Sequence, residues 1–400
     1  MFKASFYKKN RKDLFKNAQA DIVIISAAGL LQRSADTSYP FKQDTNFWYL
    51  TACNEPDFIL VITSNKHILI EPKRDKHRDL WEGSIKTVSI KTSSGVDEIL
   101  SYTEGWNFIK QYGHGKIIAT VLPPKPYISA HGLYTNPAHL QLHTKIKKLA
   151  PVKIINAQLH IARLRQFKTP QEINAIQTAI TITQQSLQVI KESVTTYKNE
   201  SDIQHRLTYE FLQRGSQGHA YDPIIATDKN ATTIHYIANN HTLKDANMVL
   251  LDVGAEYDNY AADISRTYAL NTPTERLSAV HAAVLNTQQQ IIAYLEPGIT
   301  MKELEQKTLD LFTEQIKSLG LSQSVRTYYP HAVSHHLGLD VHDPADYTQP
   351  LQPGMVITIE PGLYIPDENI GVRIEDDVLI TDTGVQNLSE KVPHSLLYYI

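Results

Sequence analysis

Four hundred residues exceed one compact core of ordinary size, so two domains are the default expectation. The chain is 42% hydrophobic and 20% charged, the balance of a globular protein, and its formal net charge of -3 offers no basic field to hold nucleic acid or anionic lipid. No apolar run approaches the roughly 20 residues that span a bilayer, and the single cysteine, Cys53, excludes an internal disulfide framework and any multi-thiolate metal site.

The first segment, MFKASFYKKNRKDLFKNAQA, carries Lys8, Lys9, Arg11, Lys12 and Lys16 without an apolar stretch, so it reads as a solvated helix face and not as a signal peptide. A cytoplasmic, reducing location is the expectation. The runs 22-IVIIS-26, 58-FILVIT-63 and 117-IIATVL-122 read as buried strands among polar and helical stretches, which predicts a mixed α/β N-terminal domain. Nothing in it resembles a glycine-rich phosphate loop. The pattern changes near residue 165, dividing the chain into 1–165 and 166–400. Thr169-Pro170-Gln171-Glu172 combines a capping box with a proline in the first turn and predicts a helix start. A second helix is expected from Ser201. Strands at 248-MVLLDVG-254 and 260-YAADISRTYAL-270 follow, around a polar turn near Tyr257-Asp258-Asn259. The order then repeats: a helix from Glu275 to Leu295, another from Thr300 capped by Glu303, and strands at 354–362 and 371–381. Helix, helix, strand pair, twice over, predicts a C-terminal domain of two related halves.

The chemistry lies in the strand pairs. A hairpin turning at Tyr257-Asp258 would set Asp252 directly opposite Asp263, with Cβ atoms about 4.5–5.5 Å apart. Two carboxylates that close on an apolar sheet repel each other, so something cationic should lie between them. Glu360, ending 355-MVITIE-360, and Glu375, inside 372-VRIEDDVLI-380, repeat the oddity, and Arg373 alternates onto the face of Glu375. Singly, each acid reads as a surface ion pair; matched across two half-domains, they point to a metal site. Oxygen-rich donors with one imidazole suit manganese, cobalt or zinc, and four carboxylates carry enough charge for two divalent ions. The stretch 329-YPHAVSHHLGLDVHD-343 supplies the imidazoles. His331 and His335 stand four apart, the spacing that puts two zinc ligands on one helix face, so a metal site, an acid/base cluster and a histidine-rich loop are all open on spacing alone.

Asp252 in LLDVGAEYDNY, Asp263 in ADISRT, His335 in SHHLGLDVHD, Glu360 in IEPGLY and Glu375 in VRIEDD resemble the five metal ligands of the pita-bread metallopeptidases, in the same order. Within that family the aminopeptidase P group is the best match, because 39-YPFKQDTNFWYLTACNEPDFILVI-62 resembles the signature of its creatinase-like, non-catalytic N-terminal domain. The resemblance covers residues from about 5 to about 390. It implies a pita-bread catalytic domain and two divalent ions, manganese by preference. It also implies peptide substrates with proline at the second position, attacked by a metal-bridging hydroxide with Glu360 as proton shuttle. His235, His331 and His342 match the family's catalytic histidines, the first at the scissile carbonyl and the other two flanking the proline. Tyr221, Tyr364 and Arg373 are expected at the pocket, and Trp81 where the N-terminal domain can reach an active site. A homodimer or homotetramer is expected, with neither nucleic acid nor membrane as partner. His336 stands where an aromatic residue or glycine is more usual, and 225-IATDKNATT-233 and 261-AAD-263 are poorer in glycine than the family pattern. The alternatives are a prolidase restricted to Xaa-Pro dipeptides and a non-enzymatic pita-bread protein-binding module.

Overall fold

A computed structural model describes residues 2–74, 76–122 and 132–396. It divides into two compact units, Met1–Leu164 and Arg165–Ile400. The first is built on a mixed sheet of six strands, in spatial order Glu98–Leu100, His67–Ile70, Ile59–Ile62, Ile22–Ser26, Ile117–Thr120 and Lys153–Asn156. Ile59–Ile62 runs antiparallel to both of its neighbours, and the outer pairings are parallel. Strands buried on both faces read as unbroken apolar runs, and Ile22, Ile24, Val61, Ile68 and Ile118 fill this core with Trp106 and Ile109 from the helix Tyr102–Gly113. The opening helix, Ala4–Ala18, corrects one expectation. Its charges are not all on a solvated face, for Arg11 is fully buried and donates to the carbonyls of Leu50, Ser94 and Gly95 and to His67 Nδ1.

The second unit opens with the helix Pro170–Ser193, whose N-cap Thr169 and Glu172 bond reciprocally to each other's main chain as the capping box requires. A second helix, Glu200–Gln213, leads to the strand Ile224–Thr227, which pairs with Met248–Val253, itself paired with Ile264–Ala269. The sequence order then recurs as the helices Glu275–Tyr294 and Met301–Ser318 and the sheet Val356–Ile359, Asp376–Thr381, Gly384–Asn387. Each strand pair continues as a second short ladder, Ala255–Tyr257 with Tyr260–Ala261 in the first half and Gly362–Ile365 with Ile370–Arg373 in the second. One apolar core, including Leu250, Val280, Phe312, Ile357 and Val372, lies between the later helices and the strands.

The hairpin register differs from the expected one by two residues. Asp252 faces Ser265, not Asp263, because the turn is centred on Asp258-Asn259. Both residues take left-handed backbone, φ 48° and 66°, as a two-residue hairpin turn demands. A shift of two preserves the strand face, so the two aspartates stay on one side. Between the ladders the chains approach closely at Gly254, where a Cβ would stand 1.7 Å from the Ala262 carbonyl oxygen. Gly254→Ala is therefore expected to destabilise the protein by about 3 kcal/mol or more, read as a lowered denaturant midpoint; a stability equal to the parent's would contradict the close approach. In the second half Ile359 faces Asp376 and Gly362 faces Arg373, which leaves Glu360 and Glu375 at facing positions in the gap between the ladders.

Candidate metal centre

Breaks between ladders free main-chain groups and turn side chains inward, and the acids sit at or beside these breaks. Asp252 is next to last in its strand, and Asp263, Glu360 and Glu375 lie in the gaps. Ligand atoms of Asp263, His335 and Glu375 all lie within 4.8 Å of one another. His335 Nε2 stands 3.4 Å from Asp263 Oδ2 and 3.3 Å from Glu360 Oε1. Asp252 joins through Tyr221, whose hydroxyl lies 2.6 Å from Asp252 Oδ1 and 2.5 Å from Asp263 Oδ1. These residues line a cavity of about 320 Å³ together with Ile224, Ile234, His235, Ile237, Val341, His342 and Arg373.

The crowding fits a cation. One phenolic proton cannot serve two carboxylates, so the second short contact to Tyr221 needs a proton on an aspartate, and burial raises the pKa of Asp263. Burial, with Asp263, Glu360 and Asp252 nearby, holds Glu375 well above the usual carboxylate range. Burial lifts Glu360 to about 7, although His335 pulls against it. His335 moves the other way from most buried imidazoles: burial lowers it, yet Asp263 and Glu360 outweigh burial and raise it to about 9. Its Nδ1 is held by the His336 carbonyl at 3.1 Å, which leaves Nε2 aimed at the acids as a ligating nitrogen would be.

Stability then follows pH with a defined sign. Both groups have folded values above their unfolded ones, so their contribution is complete below about pH 4.5 for Glu360 and 6.5 for His335. It is lost as pH rises through about 7 and about 9. Buried His331, His336 and His342 are lowered and gain stability as pH rises to about 6.5. Metal-free protein is accordingly expected to lose thermal stability between about pH 6.5 and 9, whereas saturating divalent metal, which competes with the protons on Glu360 and His335, should stabilise more at higher pH. A metal-induced shift in Tm that shrinks with rising pH would count against this charge arrangement.

Arg373 organises the floor of the site. Its guanidinium donates to Asp252 Oδ2 at 2.5 Å, to Tyr364 Oη at 2.7 Å and to Ser265 Oγ at 2.9 Å, and Ser265 in turn donates to Glu375 Oε2 at 2.6 Å. Since arginine only donates, Tyr364 accepts from it and passes its own proton to His331 Nε2 at 2.9 Å. His331 is thus neutral with its proton on Nδ1, toward the Ala332 carbonyl, and burial pushes it down to about 4. Its Nδ1 lies 3.8 Å from Glu360 Oε2. His342 stacks edge-on against His335, with centroids 4.3 Å apart, and burial lowers it to about 4 as well.

Residues 329–343 carry no helix beyond Tyr328, so the four-residue spacing of His331 and His335 does not form a helix-face pair. His336 points elsewhere: it is buried, packs edge-on against Tyr347 and is pushed down to about 3 by burial and Lys168. Trp81 lies in the first unit on the helix Lys76–Glu82, 79% exposed and donating to His77 Nδ1. Two neighbours, Ser265 and Thr358, went unread in the sequence. Ser265 links Arg373 to Glu375, and Thr358 receives the His335 amide and donates to Glu360 Oε1 at 3.3 Å. Asp377 Oδ2 accepts the Asp263 amide. Each alternates with a named acid along its strand, and that period of two was the signal available.

The two-halved fold and its buried cluster of acids around one imidazole define a metal-dependent hydrolase of the pita-bread class. Residues 174–382 match the model of metallopeptidase family M24, and residues 7–119 that of the aminopeptidase P N-terminal domain. The chain is 35% identical over 417 residues to Xaa-Pro aminopeptidase 3 of Homo sapiens, covering 94% of this chain and 79% of that one. It is 30% identical over 429 residues to Xaa-Pro aminopeptidase of Escherichia coli (strain K12), covering 96% and 94%. The low-pH form of aminopeptidase P from E. coli superposes with a TM-score of 0.89 at 29% identity, over 99% of this chain and 97% of that one. The chain belongs to metallopeptidase family M24 and is a metallo-aminopeptidase of the aminopeptidase P type. Among the described residues no helix is long and apolar enough to cross a membrane.

Proposed function

We propose that the enzyme releases the N-terminal residue from peptides with proline at the second position, using two divalent ions held by Asp252, Asp263, His335, Glu360 and Glu375. The convergence of these acids and one imidazole on a single cavity carries the reading. Bound there, the ions would supply an activated water and polarise the bond being cut.

The side chains do the rest. Glu360, beside His335 in the cavity, takes a proton from the attacking water and returns it to the leaving proline nitrogen. His235, at the cavity wall, donates to the scissile carbonyl as charge builds on its oxygen. His342 and His331 bracket the proline, and Arg373 with Tyr364 and Tyr221 keeps Asp252 aimed inward, near the substrate's free amine. Manganese is the proposed ion, since four carboxylates and one imidazole favour it or cobalt or zinc over softer-ligand metals. A homodimer or homotetramer in the cytoplasm is the proposed setting.

A peptide panel separates the readings. Manganese-loaded protein should release the first residue from Xaa-Pro tripeptides and longer peptides. Cleavage confined to Xaa-Pro dipeptides would make it a prolidase, and no cleavage of either would favour a binding module.

A further inference from the structure

The segment 227–241 carries His235 yet contains no helix beyond a short 3-10 turn, Asp228–Thr232, and no strand after Thr227. Among the described residues no hydrogen bond reaches the His235 ring, so the backbone beneath it must fix where the imidazole points. That backbone converges on Glu200, the first residue of the helix Glu200–Gln213, which has no measurable exposure. Glu200 Oε1 accepts from the Thr227 amide and hydroxyl, both at 2.8 Å, and from Asn230 Nδ2 at 3.1 Å. Its Oε2 accepts from Tyr236 Oη at 2.8 Å and the His241 amide at 2.9 Å. The five donors span the loop from one end to the other, and one belongs to the residue directly after His235.

No cation pairs with this carboxylate among the described residues. A buried charge without a counter-ion is costly unless hydrogen bonds replace its hydration, and the helix N-terminus adds a favourable dipole. Asn239 adds a second clamp, receiving the Ile225 amide and donating to the Pro223 carbonyl. Where Ala231 passes Gly371 the approach is close enough that a Cβ on Gly371 would meet the Ala231 carbonyl at 2.0 Å. The loop is therefore fixed on both sides of His235.

From this geometry we infer that Glu200 is a positioning residue for His235, holding its loop so that the imidazole meets the substrate carbonyl. The inference rests on the role proposed above for His235. Glu200→Gln keeps the shape but replaces one acceptor with a donor, so in either orientation the Thr227 or the His241 amide faces an N–H. The test is a double-mutant cycle on manganese-loaded protein, with metal content measured alongside. His235→Ala should lower kcat about 100-fold. Glu200→Gln should lower kcat about tenfold, with KM within about twofold and metal content unchanged. Combined, the two should be no slower than His235→Ala alone, because a misplaced imidazole costs nothing once it is gone.

Multiplying effects in the double variant, or an unchanged kcat in Glu200→Gln, would overturn the inference while leaving the proposed activity intact. An unchanged kcat in His235→Ala would overturn both the inference and the role of His235. If Glu200→Gln does not fold, Tyr236→Phe removes one donor only. It should lower kcat about threefold and lose that effect in the His235→Ala background; an effect that persists there refutes the inference.

Discussion

In metal-loaded protein Glu360→Gln is expected to lower kcat about 1,000-fold while leaving the fold intact, with metal content measured alongside. The amide keeps the volume of the carboxyl and can still accept from Thr358 Oγ1, so packing at the end of the strand Val356–Ile359 is preserved. What disappears is a carboxylate that can carry a proton and that also contributes to the proposed metal site. Steady-state kinetics on a tripeptide with proline in second position, with circular dichroism as the folding control, reads the outcome. Full activity in the variant would remove Glu360 from the proton path.

Glu375→Gln separates stability from function. The carboxyl is buried among Asp263, Glu360 and Asp252, which burial and charge together hold well above its ordinary range. A group raised in the folded state stabilises fully only below its unfolded value, near pH 4.5, and costs stability above it. A neutral amide that still accepts from Ser265 Oγ therefore relieves the metal-free protein at pH 7, by about 1–2 kcal/mol. The same change removes a donor from the cluster with Asp263 and His335, and metal affinity should fall by about 100-fold or more, with activity following it. Thermal unfolding of metal-free protein at pH 4 and pH 7 checks the first half, since the gain should vanish at pH 4. Metal titration checks the second. A variant less stable at pH 7 that keeps its metal would contradict both halves.

Local signals in the sequence carried a long way. The capping boxes at Thr169 and Thr300 begin their helices in the structure, and the helix from Glu275 ends within one residue of its expected stop. Alternation along the strands was enough to put Asp252 and Asp263 on one face and to let Glu360 and Glu375 converge on one face, which the structure places at facing positions between the ladders. What alternation could not supply was the register of the first hairpin. That depends on two left-handed residues, Asp258 and Asn259, and on the close approach at Gly254, neither of which leaves a periodic trace. Arg11 was misread for a related reason. A basic residue in a basic segment looks solvated until its carbonyl partners, about 40 and more than 80 positions away, are known.

The same limit applies around the metal centre. Ser265 and Glu375 are 110 residues apart, and Glu200 reaches Tyr236 across 36. Hydrogen bonds of that kind decide where a carboxylate or imidazole points, and no spacing rule encodes them. His336 shows the converse, a histidine beside His335 in sequence whose ring turns to Tyr347 instead.

The central claim is that four acids and His335 form one divalent-metal site on which activity depends. Metal content and tripeptide cleavage, measured together while the metal-free protein is titrated with manganese, test it most directly. Activity should appear as the metal binds and reach its maximum at two ions per chain, and cleavage at full rate by protein that holds no metal would contradict the claim outright.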